Sequence, residues 1–142
     1  SDNFYGWAKS TYEHLAFVFA CGKINDGVRL ESVHIRIGGP RDNIMDGRSA
    51  DDLKKMHREL GAYLSARDLS QLVIKSLETE DIEDENGVPF QVFFGISGNT
   101  HRFWNIDNAR RIVGYAPEDD SQIRFAGEIS AIIQEAQKRQ NV

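Results

Sequence analysis

Tyr5 and Lys9 are the residues whose types and spacing could do chemistry. Four positions apart, they lie one above the other on one face of a helix, with Glu13 a further turn along. That spacing sets an ammonium beside a phenol. A free tyrosine titrates near ~10, too high for a base at neutral pH, and a neighbouring cation favours the phenolate. A phenol tuned in this way takes a proton from an alcohol, or gives one to a carbonyl oxygen, while a hydride moves elsewhere. The lysine can also donate hydrogen bonds to the hydroxyls of a bound ribose. On spacing alone, a surface Tyr/Lys pair without a role remains open.

The surrounding sequence predicts the elements that hold this pair. A helix is expected from about Gly6 to Gly22, with Asp2 and Asn3 near its start. Its second half, Leu15 to Cys21, is apolar all round, so it is expected either deep in the core or pressed between the sheet and a partner subunit. A turn at Asn25-Asp26-Gly27 precedes a strand over 30–37, which runs into Gly38-Gly39-Pro40. Ligands of open α/β sheets sit beyond the carboxyl ends of strands, so this loop is well placed to line a site. Arg41 to Arg48 reads as a polar loop. In it Arg48 is either a bidentate clamp for a substrate carboxylate or a solvated arginine.

From Ser49 a helix is expected, with Asp51 and Asp52 at its positive end, Leu53, Met56 and Leu60 inward, and Gly61 as its stop. Residues 62–64 read as a short extended piece. Ser65 to Asp68 reads as a capping-box variant opening a helix whose core face is Leu69, Leu72, Val73, Ser76 and Leu77. A near-continuous apolar strand follows over 90–96, fitting a buried parallel strand. A short helix over 106–113 is stopped by Gly114. A last one over about 121–138 points Ile123, Phe125, Ile129, Ile132 and Ile133 inward. Phe103 or Trp104 could wall a pocket or serve the core. The expected architecture is an incomplete α/β unit with two or three parallel strands, near 30–37, 62–64 and 90–96, and helices packed on them.

Composition narrows the function classes. The chain has 142 residues, 40% apolar and 27% charged, enough for one domain with a core. A net charge of −5 gives no footprint for nucleic acid. No apolar run reaches the ~20 residues that span a bilayer. Cys21 is the only cysteine, which excludes an internal disulfide and makes a reducing cytoplasm the default. The acidic run from Glu78 to Glu85 ends in Asn86-Gly87 with the wrong glycine position for a calcium loop, and the four histidines lack zinc spacing. No metal is expected.

Four segments carry a resemblance. Tyr5-Gly6-x-x-Lys9-x-x-x-Glu13 resembles the active-site helix of the extended short-chain dehydrogenase/reductases, the NAD-dependent epimerase/dehydratase group. The strand ending in Arg36-Ile37-Gly38 is similar to that family's nicotinamide-side strand, most of all in its uronate dehydrogenase branch. That branch carries a serine where this chain has Gly39, which leaves the substrate open. Tyr63-Leu64-Ser65-Ala66-Arg67-Asp68-Leu69 resembles the family's strand-to-helix junction. Arg102 to Pro117 resembles its late helix.

The resemblance implies hydride transfer between NAD, or NADP, and a carbinol carbon of a sugar or sugar derivative. It makes Tyr5 the acid/base, Lys9 the ribose partner, Ile37 a cofactor contact, and Gly39, Arg48 and Trp104 the substrate side. It also implies a Rossmann-type doubly wound parallel sheet and a homodimer. A dinucleotide-binding half should open with a strand and a glycine-rich turn. Nothing of that kind precedes Tyr5, and Gly95-Ile96-Ser97-Gly98 reads as a strand end and turn. The expectation is therefore a C-terminal portion, residues 1–142, of a longer enzyme, which alone binds NAD poorly and is inactive. A non-catalytic NAD-sensing relative and a stand-alone interaction module are the alternatives.

Overall fold

The computed structural model describes residues 2–140. Two strands, β1 (Ser32–Ile37) and β2 (Phe90–Gly95), pair in parallel from Ser32 opposite Phe90 to Ile37 opposite Gly95. Helix α1 (Phe4–Ala20) packs on this sheet. Asn3 starts it earlier than the apolar pattern foretold, because its side chain accepts the Gly6 amide at 2.9 Å. The chain leaves α1 through Gly22 at φ +65, where a Cβ would stand 2.8 Å from the Arg29 side chain.

The expected burial of α1 within the core does not hold for this chain. Only Ala20 is buried, while Leu15, Phe17 and Val18 are exposed. A sheet of two six-residue strands covers one side of the helix and no more. The third expected strand, at 62–64, is a single parallel bridge between Gly39 and Tyr63. Gly39 donates to the Ala62 carbonyl at 2.7 Å and receives the Leu64 amide at 3.1 Å. Pro40 has no N–H to continue the ladder on one segment, and on the other a helix starts at Ala66.

Helix α2 (Leu53–Gly61) follows a 3-10 turn over Ala50–Asp52 capped by Ser49. Helix α3 (Ala66–Glu78) is capped by Ser65, which accepts the Asp68 amide at 3.1 Å. Asp68 does not close the capping box. It is fully buried, accepting the amides of Glu118 and Asp119 at 2.9 and 3.1 Å, while the Ser65 amide goes to Ser97. Leu72 is the inward residue of α3, whereas Val73 and Leu77 face solvent, Leu77 being 81% exposed. They border a groove of 380 Å³ beside Val33 and Ile35 of β1.

Helix α4 (Asp107–Val113) ends at Gly114 in the left-handed conformation. The expected last helix is two, α5 (Ser121–Arg124) and α6 (Ala126–Gln140), broken at Phe125. Phe125 packs edge-on against Tyr63 at 5.4 Å. Its neighbours Ile123 and Ile133 are exposed, contrary to the pattern, while Ile129 and Ile132 are buried.

Two apolar clusters hold the molecule. One joins Ile44, Met45, Met56, Leu60, Tyr63, Phe125, Ile129 and Ile132. The other joins Leu72, Ile82, Phe93, Ile96, Ile106, Ala109, Val113 and Tyr115. The loop before α2, polar by sequence, thus contributes Ile44 and Met45 to the core. Among the described residues no group of His, Cys, Asp or Glu could hold a metal ion, and no helix is long and apolar enough to cross a membrane.

Candidate functional site

The first turns of α1 bring Tyr5 and Lys9 together as their spacing requires. The Lys9 Nζ stands over the Tyr5 ring, 5.5 Å from its centroid, and both side chains are exposed. Tyr5 is 73% exposed, so its hydroxyl is open to an incoming ligand. Glu13, one turn further along, fixes the helix: Arg36 of β1 donates to both of its carboxylate oxygens, at 2.6 and 3.2 Å. This two-pronged pair ties α1 to the carboxyl end of β1, one residue before Ile37. Ile37 is 51% exposed there, the only apolar side chain between Arg36 and the two glycines.

Arg36 also lies over the Phe94 ring at 5.8 Å, and Phe94 stacks on Trp104 at 5.2 Å with planes 10° apart. Glu13, Arg36, Phe94 and Trp104 therefore form one connected stack from the Tyr/Lys helix to the aromatic loop. Sequence reading singled out Glu13, Trp104 and the Arg36-Ile37-Gly38 segment, but neither Phe94 nor the pairing of Arg36 with Glu13. No spacing links positions 13 and 36, and the connection exists only once the strands pair.

Past Ile37 the backbone passes close to its neighbour. A Cβ on Gly38 would stand 2.2 Å from the Ala62 carbonyl oxygen, so only glycine fits. At Gly39 the same atom would be 3.6 Å away, an ordinary contact. Close approach thus belongs to Gly38 alone. The two glycines open a cleft of 430 Å³ walled by Pro40, Arg41, Arg48 and Glu59. Arg48 enters it already engaged: its Nη2 is 2.6 Å from Glu59 Oε2, and its Nε donates to the Ile44 carbonyl at 3.2 Å. Glu59 was not legible as a site residue, because it sits on a helix whose position no motif announces.

Gly39 and Arg48 share this cleft. Tyr5, Lys9 and Trp104 are not in its lining. Trp104 borders a separate 400 Å³ hollow with Thr100, Arg102 and Asn105. The turn after β2 is structural. Ser97 is buried and accepts the Ser65 amide at 3.0 Å, and a Cβ on Gly98 would sit 3.3 Å from the Asp119 carbonyl. No pyrophosphate cradle is formed there. The residues present fit the nicotinamide end of a dinucleotide: an exposed phenol, an ammonium and an apolar strand end.

Tyr63, buried unlike Tyr5, is unsuited to proton transfer. Burial and its hydrogen bond to Asp42, at 3.1 Å, push the Tyr63 hydroxyl up to about 12.

A parallel α/β layer with this helix and this strand end is similar in fold to the C-terminal part of Rossmann-type dehydrogenases, and comparison with known proteins finds the same likeness. The chain is similar to the NAD-dependent glucose-6-phosphate dehydrogenase of Haloferax volcanii, 28% identical over 127 residues, which cover 89% of this chain and 41% of the relative. Among solved structures it matches a mutated uronate dehydrogenase with a TM-score of 0.62 and 27% identity, covering 95% of this chain and 40% of that one. It also matches the glucuronic acid dehydrogenase of Chromohalobacter salexigens, with a TM-score of 0.61, 26% identity and 41% of that chain covered. No protein-family model matches the chain. The chain thus spans about two fifths of the length of the dehydrogenases it matches. The resemblance read from four segments holds.

Proposed function

We propose that residues 1–142 are the C-terminal portion of an NAD-dependent oxidoreductase acting on a sugar or sugar derivative, a uronic acid among the candidates. The observation that carries this is the Lys9 ammonium over the Tyr5 ring, on a helix clamped by Glu13 and Arg36 to the strand end at Ile37. In this reading the Tyr5 oxygen takes the hydroxyl proton of the sugar as its carbinol carbon is oxidised, and returns it in the reverse direction. A bound NAD would supply the acceptor for the hydride that leaves that carbon. Lys9 donates to the nicotinamide ribose, Ile37 packs on the ring, and Gly39, Arg48 and Trp104 serve the substrate side. NAD is preferred to NADP on the names of the relatives.

The chain alone is expected to bind NAD poorly, since nothing among the described residues cradles a pyrophosphate. Two further features belong to the same reading: a cytoplasmic location, and a homodimer formed through α1. Phe4, Trp7, Leu15 and Val18 are exposed on the side of α1 opposite Glu13, a spacing that suits helix pairing. In a polypeptide that also carries the dinucleotide-binding half, Tyr5→Phe is expected to lower kcat by about 10² to 10⁴ with KM for NAD little changed. Unchanged kcat would remove Tyr5 from the chemistry.

A further inference from the structure

Helix α1 is held at two places. Near its C-terminal end Phe17 meets Phe90 edge-on at 5.3 Å, Ala20 is buried, and the Phe19 carbonyl accepts the Leu30 amide at 3.4 Å. One turn before Phe17, the Glu13 carboxylate takes its two hydrogen bonds from Arg36 of β1. Beyond Glu13 the helix projects alone. Among the described residues, no hydrogen bond or ion pair ties residues 4–12 to another element.

A rod anchored at one end keeps its place but not its direction. Tyr5 lies about 18 Å along the axis from Phe17, at ~1.5 Å per residue. A tilt of about 3° around that anchor therefore carries Tyr5 about 1 Å, a displacement able to cost ~10²-fold in rate. Glu13 is the second point, and it fixes the direction. Arg36 suits the task because its fork grips both carboxylate oxygens while its flat guanidinium lies over the Phe94 ring, 5.8 Å from the centroid. Phe94 in turn stacks on Trp104 at 5.2 Å, so β2 and the loop after it back the grip. The Arg36 side chain is 54% exposed, where an ion pair adds little to stability.

We propose that Arg36 is a positioning residue: through Glu13 it sets the direction of α1 and so places the Tyr5 hydroxyl at the oxygen of the reacting carbon. This role rests on the reading of Tyr5 as the acid/base and goes beyond it.

The first measurement uses the 142-residue chain and needs no substrate. Residual dipolar couplings of the backbone amides give the direction of α1 relative to β1 and β2. Arg36→Gln is expected to change the couplings of residues 4–20 as a set while those of the strands stay. The second uses a polypeptide that also carries the dinucleotide-binding half, with hydride transfer from sugar to NAD followed in a single turnover. Arg36→Gln, and Arg36→Lys, which keeps the charge but loses the fork, are each expected to slow transfer by about 10². In a Tyr5→Phe background they are expected to slow it no further, because they act through the same hydroxyl. Glu13→Gln removes the other partner and serves should Arg36→Gln fail to fold. An unmoved helix, unchanged transfer, or a loss that multiplies with that of Tyr5→Phe would overturn the proposal. The couplings do not depend on the chemistry of Tyr5, and Tyr5→Phe alone tests the acid/base reading, so each can fail without the other.

Discussion

Lys9 leans over the Tyr5 ring without burying it, so a cation sits over the ring face while the phenol is still open to a ligand. At the same scale, two adjacent glycines differ sharply. A methyl on Gly38 would collide with the backbone oxygen of Ala62, which cannot move without breaking the bridge to Tyr63. Gly38→Ala is therefore expected to cost about 1–3 kcal/mol, and Gly39→Ala less than about 0.5 kcal/mol. Urea denaturation of the two variants checks this, and equal losses would contradict it. The Tyr5/Lys9 pair was legible in the sequence because helical spacing alone brings those residues together. The Glu13–Arg36 clamp and the Arg48–Glu59 pair were not, since each joins elements that meet only through tertiary packing.

Elements with a clear period were read correctly in kind, and local chemistry explains where their ends moved. Asn3 starts α1 early, and Ser65 starts α3 where its cap signature stands. What misled was the assumption that every apolar residue on a helix points inward. Leu77 and Ile123 do not, because no element among the described residues packs over them. The split between α5 and α6 follows from Phe125 turning in to meet Tyr63, a contact with no sequence signal.

Asp120 caps α5 through the Gln122 amide and ties in the loop before Trp104 through Thr100. Burial pushes its carboxyl up, but hydrogen bonds from Thr100 and Gln122, with the charge of His101, outweigh that and hold it below the usual carboxylate range. A folded value below the unfolded one stabilises above the unfolded value and is lost as pH falls through the folded one. Asp120→Ala is thus expected to cost about 0.5–2 kcal/mol at pH 7. The gap from the unaltered chain should narrow below about pH 4, near the ordinary carboxylate value. Urea midpoints at both pH values measure it, and a gap independent of pH would refute the role.

Across the whole molecule, α1 is the least covered element. No residue of α1 enters either apolar cluster, and one side of β1 is unpaired among the described residues. Two parallel strands are a small sheet for this architecture, in which both faces are ordinarily covered. The dehydrogenases that the chain matches are more than twice as long. If a homodimer covers the outer face of α1, light scattering should give twice the chain mass. The paired variant Trp7→Glu with Leu15→Glu should then return a monomer of unchanged circular dichroism. A monomer at high concentration before mutation would count against it.

The most direct test of the account follows the hydrogen itself. In a polypeptide joining this chain to its dinucleotide-binding half, a sugar deuterated at its reacting carbon is incubated with NAD in a single turnover. The account predicts that the label appears on the nicotinamide and that Tyr5→Phe slows its transfer by about 10² or more. Label that stays on the sugar, or transfer at the same rate without the Tyr5 hydroxyl, would contradict it.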